Sequence, residues 1–110
     1  MTSPYESTQP SRDHVDQLQG PTIVQFGTDW CGFCQAANPL IEAALASRAD
    51  VQRLKVEDGP GRALGRSFRV KLWPTLIFLR EGREIARVVR PKSAKEVSTA
   101  LSQLDALSIP

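Results

Sequence analysis

The stretch Thr22–Pro39, TIVQFGTDWCGFCQAANP, decides how this chain is read. Its first five residues, Thr22 to Phe26, form a largely apolar run of strand-forming side chains. From Gly32 to Ser47 the apolar residues Ala37, Leu40, Ile41, Ala44 and Leu45 recur at spacings of three and four, which predicts a helix with one buried face. Pro39 falls inside that helix and is expected to kink it, because proline lacks a backbone donor and crowds the preceding turn. Where strand passes into helix stands Trp30-Cys31-Gly32-Phe33-Cys34. Two cysteines at this spacing on a helix start bring their sulfurs within disulfide reach. The first occupies the exposed N-terminus and the second lies one turn inside. Unpaired N–H groups and the helix dipole favour an anion at the first, and the thiolate is the nucleophilic form of cysteine. The competing reading is a pair of small buried apolar side chains. It is the weaker one, because C-x-x-C in a βαβ context is a redox signal.

The pattern extends outward on both sides. Val51–Val56, lying between two helical stretches, reads as a strand parallel to the first. Asp58-Gly59-Pro60-Gly61 is a turn, and Arg62–Phe68 a short helix. Thr75–Arg80 and Glu84–Val89 are strands joined so closely at Glu81-Gly82 that they must form an antiparallel hairpin. Ser93 and Glu96 make a capping box ahead of a helix carrying Val97, Leu101, Leu104 and Leu107 on one stripe. Upstream, Ser11–Leu18 reads as a short helix capped by Ser11 and stopped at Gly20-Pro21. Residues 1–10, polar with two prolines, read as a flexible N-terminal tail. The predicted class is α/β, a central mixed β-sheet flanked by helices on both faces, built as a single domain over residues 11–110.

Composition narrows the function classes. The chain has 110 residues, 41% hydrophobic and 24% charged, the profile of one globular domain. Its apolar runs are too short for a membrane helix. The first thirty residues lack the apolar core of a secretory signal, so a cytoplasmic protein is expected. Two cysteines are too few for a disulfide-built scaffold. With the single His14 they are also too few for a structural zinc site, so no metal is expected. His14 reads as a surface residue. Gly59-Pro60-Gly61 with Gly65 has the wrong spacing for a dinucleotide loop, and Pro60 removes an N–H that phosphate would need. The net charge of +2 conceals an asymmetry: residues 1–61 carry −4, residues 62–95 carry +8 and residues 96–110 carry −2. Such a block either steers acidic partners or is a solvated face. Aromatics interleaved with basic residues are too sparse to suggest nucleic-acid binding.

The quoted stretch, followed about forty residues later by WPTLIFLREG from Trp73, resembles the thioredoxin family, with the similarity running from about Pro21 to Leu107. The resemblance implies the thioredoxin-like fold, with Cys31 and Cys34 as the catalytic dithiol at a helix N-terminus. Trp30 matches the family's aromatic residue before the first cysteine and Pro39 its kinking proline. Pro74 matches its cis-proline, which faces the dithiol and offers backbone groups to a bound substrate strand. Four positions depart from the pattern. Gln25 stands where thioredoxins carry a buried Asp, thought to take the proton from the second cysteine, and glutamine cannot ionise. Phe33 replaces a proline between the cysteines. Trp73 is bulkier than the usual aliphatic. Arg90 replaces a glycine that lines the substrate groove, and its cation is expected either to favour the Cys31 thiolate and draw in acidic substrates or to swing into solvent.

On this reading the protein is a thiol–disulfide oxidoreductase acting as a protein-disulfide reductase through a mixed disulfide. Trp30, Gly32, Phe33, Trp73, Pro74, Thr75 and Arg90 are the expected substrate-binding residues. The partners implied are protein or peptide disulfides and a separate electron-donating reductase, with no nucleic acid, membrane or bound cofactor, and a monomeric state. The alternatives are an oxidase or isomerase running the same chemistry in reverse, and a non-catalytic interaction module of this fold that binds acidic partners.

Overall fold

The structure, a computed structural model, describes residues 3–106. Eight elements follow in the order α1 (Arg12–Asp16), β1 (Pro21–Gly27), α2 (Gly32–Leu45), β2 (Gln52–Glu57), α3 (Ala63–Ser67), β3 (Thr75–Arg80), β4 (Arg83–Val89) and α4 (Ala94–Ala106). The strands make one sheet in the order β2-β1-β3-β4. β1 and β2 are parallel, with Phe26 opposite Val56, whereas β3 runs antiparallel to both β1 and β4. This is the mixed sheet expected from the βαβ unit and the hairpin.

Alternation along the central strands sends successive side chains to opposite faces. Ile23, Leu76 and Phe78 meet Ala37 and Ile41 of α2 and Val97, Ala100, Leu101 and Leu104 of α4. Val24, Phe26, Ile77 and Leu79 meet Val15 of α1, Leu64 of α3 and Phe68 just after it. Each fully buried aromatic such as Phe26 or Phe78 contributes about 2–3 kcal/mol of burial. Leu40, expected on the buried face of α2, lies instead at its margin. The expected α4 stripe is buried at Val97, Leu101 and Leu104, while Leu107 lies outside the described residues. Glu96 reaches back to the Ser93 N–H at 3.1 Å, one arm of the expected capping box. Pro39 lies inside α2 as expected, and the Trp73–Pro74 peptide is cis.

Part of the stretch 1–10, which reads as a flexible tail, lies against the fold. Glu6 pairs with Val56 on the outer edge of β2, donating to the Lys55 carbonyl at 2.8 Å and accepting from the Glu57 N–H at 2.9 Å. The Gln9 side chain accepts from the Leu64 N–H at 2.7 Å. Tyr5 is 5% exposed. An open strand edge offers unpaired backbone groups to any nearby chain, and a single buried aromatic then anchors the segment. Neither device leaves a periodic mark in so short and polar a stretch. The folded unit therefore reaches upstream of residue 11 to include Tyr5.

Candidate active site

α2 begins where β1 ends, so Cys31 sits at the N-cap with extended backbone. Its sulfur accepts from the Cys34 N–H at 3.4 Å, one of the donors that a helix start leaves unpaired. Cys31 is 8% exposed and Cys34 is fully buried one turn inside, and both are free thiols. The two cysteines pack with Tyr5 and with the half-buried Trp73. Burial pushes the Cys34 thiol up to about 11, assisted by its neighbour Cys31 and opposed by a Thr28 backbone N–H and by the Tyr5 hydroxyl.

Exposed aromatics surround the dithiol. Trp30 is 74% and Phe33 58% exposed, an unusual allocation for such large apolar groups. Trp30 meets Trp73 edge-on, with ring centroids 5.8 Å apart. The indole of Trp73 is held from below by Asp58, which accepts its Nε1–H at 2.9 Å. Gly65 of α3 makes room for that carboxylate, since a Cβ there would stand 2.2 Å from Asp58 Oδ1. Asp58 and Gly65 were legible only as turn and helix residues, because their service to Trp73 spans separate elements.

Arg90 directly follows β4 and lies beside the helix that carries the dithiol rather than swinging into solvent. Its guanidinium lies 3.6 Å above the centre of the Phe33 ring, and its Nε donates to the Trp73 carbonyl at 2.8 Å. Its backbone N–H donates to the Pro74 carbonyl at 3.0 Å. It thus ties the two sides of the groove together by cation–π and hydrogen-bond contacts, at a φ of 49° that a glycine would adopt more easily. Thr75 is buried, and its hydroxyl donates to the Leu72 carbonyl at 2.6 Å, closing the turn before β3. Pro74 is buried and Gly32 exposed at the helix start. An open groove bounded by Phe33, Ala36, Leu40, Arg90 and Pro91 continues from the aromatic cluster.

Gln25 is fully buried on β1. Its Nε2 donates to the Tyr5 hydroxyl at 2.8 Å, and its Oε1 accepts from Arg53 at 3.0 Å. Tyr5 and Arg53 escaped the sequence reading, the first because it lay in the apparent tail. His14 is exposed on α1, away from these groups. Among the described residues no group of three or more His, Cys, Asp or Glu side chains is placed to hold a metal ion. Nor is any helix among them long and apolar enough to cross a membrane.

Two buried thiols at a helix start and a cis X–Pro that opens a strand agree with the comparisons to known proteins. The family model described as Thioredoxin matches residues 5–103. This chain belongs to the thioredoxin family. It is 33% identical over 87 residues to the thioredoxin of Mycobacterium tuberculosis strain H37Rv, covering 76% of this chain and 73% of that one. Among solved structures, thioredoxin 2 from Pseudomonas aeruginosa PAO1 in its reduced form superposes with a TM-score of 0.86 at 57% identity, covering 96% of this chain and 99% of that one. A thioredoxin from Nicotiana alata reaches a TM-score of 0.69 at 27% identity, covering 89% of this chain and 96% of that one. Thioredoxins are thiol–disulfide oxidoreductases whose redox group is a cysteine pair of the protein itself, with protein disulfides as substrates and a thioredoxin reductase as electron donor. The thioredoxin match begins at Tyr5, inside the stretch that reads as a tail.

Proposed function

We propose that the protein is a protein-disulfide reductase in which Cys31 is the attacking thiol and Cys34 the resolving one. The observation that carries this reading is the asymmetry of the pair: Cys31 caps α2 and keeps 8% of its surface open to solvent, while Cys34 is fully buried. A substrate sulfur can approach only the first. The Cys31 thiolate attacks one sulfur of the substrate disulfide and expels the other, leaving a mixed disulfide. Cys34 then attacks Cys31 Sγ, the protein disulfide closes and the reduced substrate leaves. Trp30, Gly32, Phe33, Trp73, Pro74, Thr75 and Arg90 form the proposed docking surface. Its apolar rings supply contact area, and Arg90 braces Phe33 against the segment before β3. A cytoplasmic setting with a reductase as electron donor, and a monomeric state, complete the reading.

Mutational trapping tests the division of labour. Cys34→Ser should accumulate a mixed disulfide with an oxidised protein substrate such as insulin, while Cys31→Ser should trap none. Trapping by the Cys31→Ser protein would reverse the assignment. The direction of flow follows the reduction potential of the pair against that of its compartment. Equilibration with a glutathione buffer should find the pair more reducing than that buffer. A more oxidising pair would favour the oxidase or isomerase alternative, and a parent protein inert towards insulin would favour a non-catalytic module.

A further inference from the structure

Behind Cys34 lies a polar cluster that the two-cysteine reading does not use: buried Tyr5 from the N-terminal segment, buried Gln25 from β1 and half-buried Arg53 from β2. Arg53 holds Gln25 Oε1 at 3.0 Å, which turns the amide so that its Nε2 faces Tyr5 and donates to the hydroxyl at 2.8 Å. With that lone pair engaged, the hydroxyl proton is directed elsewhere, and the Cys34 sulfur is the side-chain partner beside it. Gly27 keeps the passage open. A Cβ there would stand 2.6 Å from Cys34 Sγ and 2.7 Å from the Tyr5 oxygen, so a larger residue could not occupy the place where the two meet. Desolvation holds the phenol well above its ordinary range, so Tyr5 stays protonated and serves as a donor, never as a base.

The other charged groups around the cluster are accounted for. Lys55 Nζ lies 4.6 Å from the centre of the Tyr5 ring. Arg53 is paired with Glu42 at 2.7 Å. Asp29 accepts the Tyr5 backbone N–H at 3.0 Å. Cys31 is the neighbour on α2.

Resting on the reductase reading above, we propose that the Tyr5 hydroxyl, oriented by Gln25 and Arg53, donates a hydrogen bond to the Cys34 sulfur and stabilises the thiolate that resolves the mixed disulfide. Cys34 gives its proton to solvent before it attacks, and the departing substrate sulfur leaves as a thiolate that takes up a proton from solvent according to its own acidity. The Cys34 electron pair forms the new bond to Cys31 Sγ, and the bond from Cys31 to substrate breaks. The dithiol gives up two electrons, the substrate disulfide gains them, and Tyr5 keeps its proton throughout. A neutral tyrosine and glutamine pair thereby serves the resolving thiol at the depth where other family members place a carboxylate.

A reaction with dithiobis(nitrobenzoate) separates the two steps, because attack releases one coloured aryl thiolate and resolution a second. In Tyr5→Phe the first release should match the parent. The second should slow about tenfold or more near neutral pH, the worth of a hydrogen bond to a charged group, and its pH profile should move to higher pH. Tyr5 is the only tyrosine in the chain, so biosynthetic replacement of tyrosine by difluorotyrosine alters this residue alone. A more acidic phenol donates more strongly, and the second release should then speed up at moderately acidic and neutral pH while the first is unchanged. The fluorinated protein keeps the hydroxyl and the packing, so it carries the test even if Tyr5→Phe folds poorly. A second release with the same pH profile in all three proteins would overturn the role of Tyr5 while leaving the reductase reading intact. A parent protein that releases no second aryl thiolate would defeat the two-cysteine reading, and the role of Tyr5 with it.

Discussion

Gln25 and Cys34 show how much one side chain decides. With the Cys34 thiol pushed up to about 11 by burial, only a small thiolate fraction exists at neutral pH. That fraction grows tenfold with each unit of pH below this value. Resolution of the mixed disulfide should therefore quicken by about tenfold per pH unit between roughly 7 and 9, measured as a single-turnover rate. Gln25→Asp places an ionisable group in the same fully buried position. It should make resolution faster near neutral pH and flatten its pH dependence, at a cost of about 2 kcal/mol in stability from desolvating the carboxylate. A Gln25→Asp protein with the parent's slope and rate would remove glutamine from the account of Cys34 reactivity.

The β3–β4 hairpin carries the clearest prediction for an element. Glu81 and Gly82 have φ of 53° and 77°, both positive, as a two-residue turn matched to strand twist requires. Gly82 also lies against α1, for a Cβ there would stand 1.8 Å from the Asp16 carbonyl oxygen. Gly82→Ala should thus lower stability by about 2 kcal/mol or more, from the turn and from the forced shift of α1, read as a drop in the urea midpoint. The turn follows the Pro21–Arg80 end of the β1–β3 ladder, whereas the dithiol follows the Phe26–Thr75 end. Cys31 attack rates in the folded variant should therefore equal the parent's. An unchanged urea midpoint would mean that α1 yields freely to the extra methyl group.

At the scale of the whole molecule, the basic excess of residues 62–95 is brought beside the aromatic surface. Arg62, Arg66 and Lys71 line one open groove with Asp58 and Trp73, while Arg62 and Arg87 are engaged with Glu57 and Glu84 at 2.9 and 2.7 Å. Arg66 and Lys71 are exposed. An acidic peptide disulfide should be reduced several-fold faster than a neutral one at low salt. The advantage should fade as the Debye length falls from about 10 Å at 0.1 M towards 3 Å at 1 M. Replacing Arg66 and Lys71 together by glutamine should remove most of that salt dependence and leave the neutral peptide's rate unchanged. Salt profiles equal to the parent's would reduce the basic block to a solvated face.

Local signals in the sequence determined the eight elements, the mixed sheet and the two cysteines, because each is written within a few consecutive residues: period-two and helical apolar spacing, a two-residue turn, a capping box, a C-x-x-C at a strand–helix junction. The proline before β3 and the odd glutamine at position 25 were legible as well, though their meaning came from the family resemblance. Tertiary structure alone decided what surrounds the dithiol. Tyr5 meets Cys34 across 29 positions of chain and Gln25 across 20, Asp58 reaches Trp73 across 15, and Arg90 folds back over Phe33. These partners are specified by where separate elements come to rest in three dimensions, so no periodicity or spacing along the chain announces them. The apparent tail is the clearest instance: its residues lack the composition of a strand, yet an open sheet edge and one pocket beneath α2 give its backbone and its single aromatic ring a defined place.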